Sequence, residues 1–308
     1  MSAGGGTRAV IAALLANLGI AVAKFVGFLI TGASSMLAEA VHSVADTGNQ
    51  GLLLLGGKRS QREATEEHPF GYGRDRYFYG FVVALMLFSL GAVFAIYEGI
   101  HKIEEPEELT SPIVAIVILL VAVVLEGFSF RTAIHESRPL KGSSRTWWQF
   151  IRQAHVPELP VVLLEDFGAL VGLVLALLGV GLTVATGNPV FDGLGTVAIG
   201  VLLGIIAVIL VVEMKSLLIG EGALRPVVAT IVAELEAGED VTRCIHLKTQ
   251  YLGPEELLVA AKIALTPRLP VERVARAIDE AEARVRAAVP EARVMYLEPD
   301  LDRTPAQT

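Results

Sequence analysis

The chain has 308 residues, a formal net charge of −8, a single cysteine and 53 % apolar residues, with a mean hydropathy of +0.58. That is too apolar for a soluble protein of this length, and the acidic balance argues against a nucleic-acid partner. One thiol, Cys244, excludes an intrachain disulfide framework and a cysteine zinc cluster.

Taken in chain order, six apolar segments are long enough to span a bilayer: 9–30, 33–57, 77–100, 112–134, 156–184 and 190–218. Each exceeds the ~18–20 residues that a hydrocarbon core of about 30 Å requires. The first is longer than a signal-peptide core and carries Asn17 and Lys24, so it reads as a span rather than a cleaved leader. The second holds AEAVHSVAD, in which His42 and Asp46 stand four apart and share a helical face. Glu39 lies one turn before His42, where it reads as a gate or entry carboxylate at the outer mouth. Glu126 falls in the fourth span, and Glu165 and Asp166 in the fifth, within VVLLEDFGALVG.

Charge at the bilayer centre costs from ~2.5 kcal/mol upward, and ionisable residues there mark ion or proton paths. Imidazole with carboxylates is a suitable ligand set for a divalent transition metal. The plainer reading of His42 is a helix–helix hydrogen bond; that of Lys24 is snorkelling or a pair with an acid. Glu165 and Glu126 read equally as proton relays or structural partners. Asp192, between Pro189 and Gly193, reads as a helix N-cap. An intramembrane hydrolase is disfavoured: there is no HExxH, no GxSxG and no nucleophile near His42.

Lysine and arginine set the orientation. Lys58, Arg59, Arg62, Arg74 and Arg76 follow the second span; Arg131, Arg138, Lys141, Arg145 and Arg152 follow the fourth. The other links are nearly free of them, so these two face the cytoplasm and so do both termini. Nothing resembles an organelle transit sequence, and the expected location is the plasma (inner) membrane.

Beyond Gly220 the composition changes. PVVATIVAELEAG is an amphipathic helix between Pro226 and Gly238. VTRCIHLKTQY and LLVAAKIAL are strands around the Gly253-Pro254 turn. VERVARAIDEAEARVRAAV is a helix ended by Pro290, and ARVMYLE a last strand. The order α-β-β-α-β predicts a small open sheet with helices on one face. The expected domains are 1–220, a six-helix transmembrane unit; 221–300, a cytoplasmic α+β unit; and 301–308, a disordered tail. At about 80 residues the second core is marginal, which favours dimerisation.

The residues Asn17, Lys24, Gly27, Gly32 and Ser34, the run AEAVHSVADTGNQ, the link HPFGYGR, and Asp166, Gly168, Gly172 and Asp192 together resemble the cation diffusion facilitator family. The Glu165–Asp166 pair is similar to one branch of it. The resemblance implies an α-helical membrane protein of six spans with a ferredoxin- or metallochaperone-like αββαβ cytoplasmic domain. It implies a homodimer that exports a divalent cation in exchange for protons, with the metal as cargo, no cofactor, and no enzymatic activity. Residue by residue it makes His42, Asp46 and Asp166 metal ligands. Helical rise places Asp46 roughly 20 Å below the outer start of its span and Asp166 roughly 15 Å above the inner start of its own, so the two can meet.

The chain departs from the family at Val162, where zinc exporters of this kind carry a histidine. Valine binds no metal, leaving one corner of a tetrahedron to Glu165, Glu126, Asn17 or water. Glu165 is set roughly 100° around the helix from Asp166. Exchange of imidazole for oxygen moves the site towards Mn²⁺, Fe²⁺ or Co²⁺; retained His42 keeps Zn²⁺ first. In the link, Tyr72 stands where a companion to His68 is expected, which favours a structural His68. Ile245 and Ala261 replace tail histidines of relatives. The expected function is zinc or related cation/proton antiport by alternating access, with a non-transporting metal sensor or scaffold of the same family as the alternative.

Overall fold

The computed structural model describes residues 18–142 and 145–301. Asn17 and the expected tail beyond Leu301 lie outside the described residues. The chain divides into two compact units. One comprises the residues up to Lys58 with Tyr77–Lys215; the other comprises Arg59–Arg76 with the residues from Ser216 onward.

The first unit is helical: α1 (Leu18–Thr31), α2 (Ser34–Ser60), α3 (Asp75–Glu104), α4 (Pro112–Lys141), α5 (Trp147–Gln153), α6 (Glu158–Thr186) and α7 (Val190–Ile219). Four of these, α3, α4, α6 and α7, are long and apolar enough to cross a membrane. They coincide with the expected third to sixth spans. Helix α2 matches them in length at 27 residues, but the polar stripe on one of its faces lowers its mean hydropathy. Helix α3 contains a π-helical stretch, Leu87–Val93. Two ends are set by left-handed glycines, Gly32 after α1 and Gly187 after α6, whose N–H groups bond back to Phe28 and Thr183.

The segment 131–152 is not the simple link expected. Helix α4 runs on to Lys141, so Arg131 and Arg138 are helical. A further short helix, α5, is opened by a reciprocal capping box between Thr146 and Gln149.

Lipid offers no hydrophobic drive for helices to associate, so close backbone approach does the work. On α7, Gly193 and Gly200 let α3 touch it: a Cβ on Gly200 would lie 2.8 Å from the Ile96 nitrogen. On the other side Gly195 meets Gly179 of α6, where an added Cβ would lie 3.2 Å from the Gly179 Cα. Leu87, Leu119, Leu173, Ile199, Leu203 and Leu210 fill the buried interior.

Asp192 caps a different helix from the one expected. It lies in the first turn of α7, yet its fully buried carboxylate accepts from the Ser34 N–H (2.7 Å), the Ser34 hydroxyl (3.1 Å) and the Ser35 hydroxyl at the start of α2. Lys102 of α3 donates to the Gly32 carbonyl (3.1 Å) just beyond α1. An anion thus sits on a helix N-terminus and a cation on a helix C-terminus, each the favourable sign. The α1–α2 corner is clamped at both helix ends.

The second unit contains α8 (Arg225–Glu236), β1 (Val241–Gly253), β2 (Glu256–Leu265), α9 (Val271–Ala288) and β3 (Val294–Asp300). The sheet order is β1-β2-β3, with β1 antiparallel and β3 parallel to β2. Helix α9 is the crossover that a parallel pair needs. Strand β2 alternates: Leu257, Val259, Ala261 and Ile263 are buried with Ile231, Leu235, Ala281 and Val285 from the helices. Lys262 faces the other way, pairing with Glu298 (2.8 Å) and Asp300 (3.4 Å) of β3. The link carrying HPFGYGR belongs to this unit. Gly73 lies against the Leu252–Gly253 backbone, and the His68 ring packs on Tyr72 with centroids 4.7 Å apart.

Candidate metal-translocation site

Helical spacing on α2 aligns Glu39, His42, Ser43, Asp46, Asn49 and Gln50 along one face. Opposite this stripe stand Lys24 of α1, Glu126 and Ser129 of α4, and Val162, Glu165 and Asp166 of α6. Their meeting point is a cavity of about 20 Å³ whose wall includes Asp46, Glu126, Glu165 and Asp166, with Ser43, Gln50, Ser129 and Val162 between them. That volume admits one water-sized sphere.

Each carboxylate has a defined neighbour. Ser129 donates to Asp166 (3.0 Å). Asn49 donates to the buried Glu165 (2.7 Å). His42, fully buried, holds Nε2 3.5 Å from an Asp46 oxygen. Lys24, also fully buried, gives its ammonium to Glu39 (3.1 Å) and Ser43 (2.8 Å), with Glu126 at 3.8 Å. Gly172 of α6 provides the space for Glu39, since a Cβ there would lie 2.5 Å from the Glu39 Oε1.

Several buried atoms keep unused bonding capacity among the described residues. Neither His42 ring nitrogen has a hydrogen-bond partner, nor do Asp46 Oδ1, Asn49 Oδ1 and Glu39 Oε1. Buried polar atoms are ordinarily satisfied, and these are the lone-pair donors that a hard or borderline divalent cation takes as ligands. Among the described residues, no three His, Cys, Asp or Glu side chains converge tightly enough to enclose a metal ion. Of the residues with unused atoms, Asp46 lines the cavity, and His42 and Asn49 flank it on α2, one turn away on either side.

Of the residues singled out from sequence, Asp46 and Asp166 share the cavity wall, and His42 sits beside Asp46, one turn along α2. Glu165 and Glu126 line the same cavity. Its angular offset on α6 does not remove Glu165, because the cavity lies between neighbouring helices and adjacent residues reach it from both sides. Glu39 lies away from it, in the Lys24 pair. Val162 forms part of the wall, where an imidazole would face the same space. Asn49, Gln50 and Ser129 escape a reading of the sequence by charge alone. Each stands three or four residues from a singled-out acid, the spacing that shares a helical face.

A family model for the cation efflux transmembrane domain matches residues 10–219. The chain is 33 % identical over 248 residues to the mouse (Mus musculus) mitochondrial proton-coupled zinc antiporter SLC30A9, covering 80 % of this chain and 44 % of that protein. It is 29 % identical over 268 residues to metal tolerance protein C4 of Arabidopsis thaliana, covering 86 % and 58 %. It is 30 % identical over 119 residues to the zinc transporter ZitB of Pectobacterium atrosepticum, covering 39 % and 36 %. The chain therefore spans less than half the length of the mouse antiporter. A solved structure of a MamM CTD variant in its nickel form overlaps 25 % of this chain and 98 % of its own at 20 % identity, with a TM-score of 0.24, too low to carry an argument.

Proposed function

The chain belongs to the cation efflux family, and we propose that it carries a divalent transition-metal cation, Zn²⁺ first, across a membrane in exchange for protons. The observation that supports this best is the cavity itself. Four carboxylates from three helices line a space for one small ion, with a buried imidazole alongside. Burying such a group uncompensated is prohibitive, whereas one divalent cation offsets two of the four charges and protons offset the rest.

In this reading α1 and α2 complete a six-span bundle with both ends on the cytoplasmic side of a plasma (inner) membrane, and the C-terminal sheet domain serves homodimerisation. Asp46, Asp166 and His42 bind the cation as they release protons. The wall carboxylates Glu165 and Glu126 stand in for the histidine that Val162 replaces. Bilayer-midplane sites between helices suit alternating access, in which packed helices rock around a fixed site. His42 fits the cation step because a neutral imidazole offers a ring nitrogen to a divalent metal.

Proteoliposomes test the proposal. Zinc flux should accelerate with an opposing proton gradient, and Asp46→Ala and Asp166→Ala should each reduce it at least ~100-fold, since loss of an outer-shell partner alone costs ~10–100-fold. Flux that ignores the gradient would indicate a channel. Flux unchanged in both variants would remove the site.

A further inference from the structure

Lys24 is a full cation in the middle of a cation carrier. Its side chain is wholly buried in the helical unit, and nothing in the binding of a divalent ion calls for a positive charge nearby. Neutralising Glu39 alone would account for a simple pair. The geometry goes further. An ammonium has three donors, and two of these go to Glu39 (3.1 Å) and Ser43 (2.8 Å). The next acceptor in reach is Glu126, 3.8 Å away. Ser43 and Glu126 both line the cavity, whereas Glu39 does not. The ammonium therefore sits at the cavity's edge, between one acid outside it and one acid in its wall. Its flexible stem needs to move by only about 1 Å to bring Glu126 into hydrogen-bond range.

We propose that Lys24 is a tethered counter-cation that Glu39 comes to share with the wall acid Glu126 when the carrier returns without metal. With metal in the cavity, the ammonium stays on Glu39 and Ser43. Once the metal leaves, the third N–H also closes on Glu126 while the Glu39 bond is kept, so one ammonium is shared by two buried acids and Glu126 is less dependent on a proton from solution than it would be without Lys24. Removing its charge should selectively impair the stroke in which the carrier returns without metal. This rests on the antiport reading, and its test separates the two.

Radiolabelled zinc is followed in proteoliposomes in two modes. Net uptake driven by a proton gradient requires the metal-free carrier to return. Exchange of external labelled zinc for internal unlabelled zinc does not. Lys24→Met should lower net uptake tenfold or more and leave exchange within about twofold of the unaltered chain. Lys24→Arg, which keeps the charge, should retain both. Should Lys24→Met fail to fold, the double variant Lys24→Met/Glu39→Gln, which removes the pair together, should show the same split. Equal loss in both modes would reduce Lys24 to a structural neutraliser, and unchanged net uptake would also overturn the proposal. No zinc flux in the unaltered chain would instead overturn the antiport reading on which it rests.

Discussion

Val162 is an apolar residue in a cavity wall otherwise rich in polar side chains, and a single substitution there should change the site's chemistry. It occupies the cavity wall with Asp46 and Asp166, so the position supplies a hydrocarbon face instead of a ligand. Val162→His should therefore add an imidazole donor and favour zinc over manganese. Competition uptake with the two metals should show selectivity for zinc rising about tenfold, equivalent to about 1.4 kcal/mol of differential binding. At this scale the sequence is most legible where a residue is expensive. His42, Asp46 and Asp166 stand out as ionisable groups in apolar helices, and Lys24 is recognisable as needing an acid. Asn49 and Ser129 do not stand out, because a neutral polar side chain costs little in a helix until its neighbours are known. The identity of the acid that Lys24 meets depends on which helices touch, and helical spacing alone does not give that.

Helix α2 carries most of the polar stripe, and its position is set at its N-terminus. Asp192 satisfies the Ser34 N–H and both serine hydroxyls there. Asp192→Ala would leave the buried Ser34 N–H and Ser35 hydroxyl unpaired, while the Ser34 hydroxyl keeps Thr196 at 3.0 Å, a loss of about 2–3 kcal/mol on the scale of caps and unsatisfied buried groups. Asp192→Asn, which keeps one acceptor, should lose less. Thermal unfolding in detergent, followed by the fluorescence of Trp147 and Trp148, should rank the unaltered chain above Asn and Asn above Ala. Equal stability in all three would show that the clamp does not hold α2. Apolar length locates the long helices within a few residues, since a bilayer-length run has few alternatives. The extension of α4 to Lys141 is hidden by charges that resemble the start of a loop. The T-x-x-Q box that opens α5 is present in the sequence but sits among those same charges. Asp192 is recognisable as a cap from local sequence, but the serine it caps is 158 residues away.

At the scale of the whole molecule, the order α-β-β-α-β in the second unit follows from alternating and helical periodicities. The parallel pairing of β2 with β3 does not, because register is a tertiary property. The single cysteine provides a topological marker. Cys244 lies on β1, and burial, followed by Glu236, pushes its thiol above the ordinary value. The thiolate is the reactive form, so alkylation should be slow near neutral pH and accelerate as pH rises. If the two basic links and the C-terminus share one side, a membrane-impermeant maleimide should label Cys244 in inside-out vesicles and not in right-side-out ones. Labelling from the opposite side would contradict the cytoplasmic placement of the C-terminal domain.

Everything proposed for transport depends on one cation being held jointly by α2 and α6. Crystals of the zinc-loaded chain, measured at the zinc absorption edge, test this most directly. The expected result is an anomalous peak in the cavity, about 2.0–2.2 Å from carboxylate oxygens of both Asp46 and Asp166. A zinc-loaded, transport-competent chain with no peak between those two residues would contradict it.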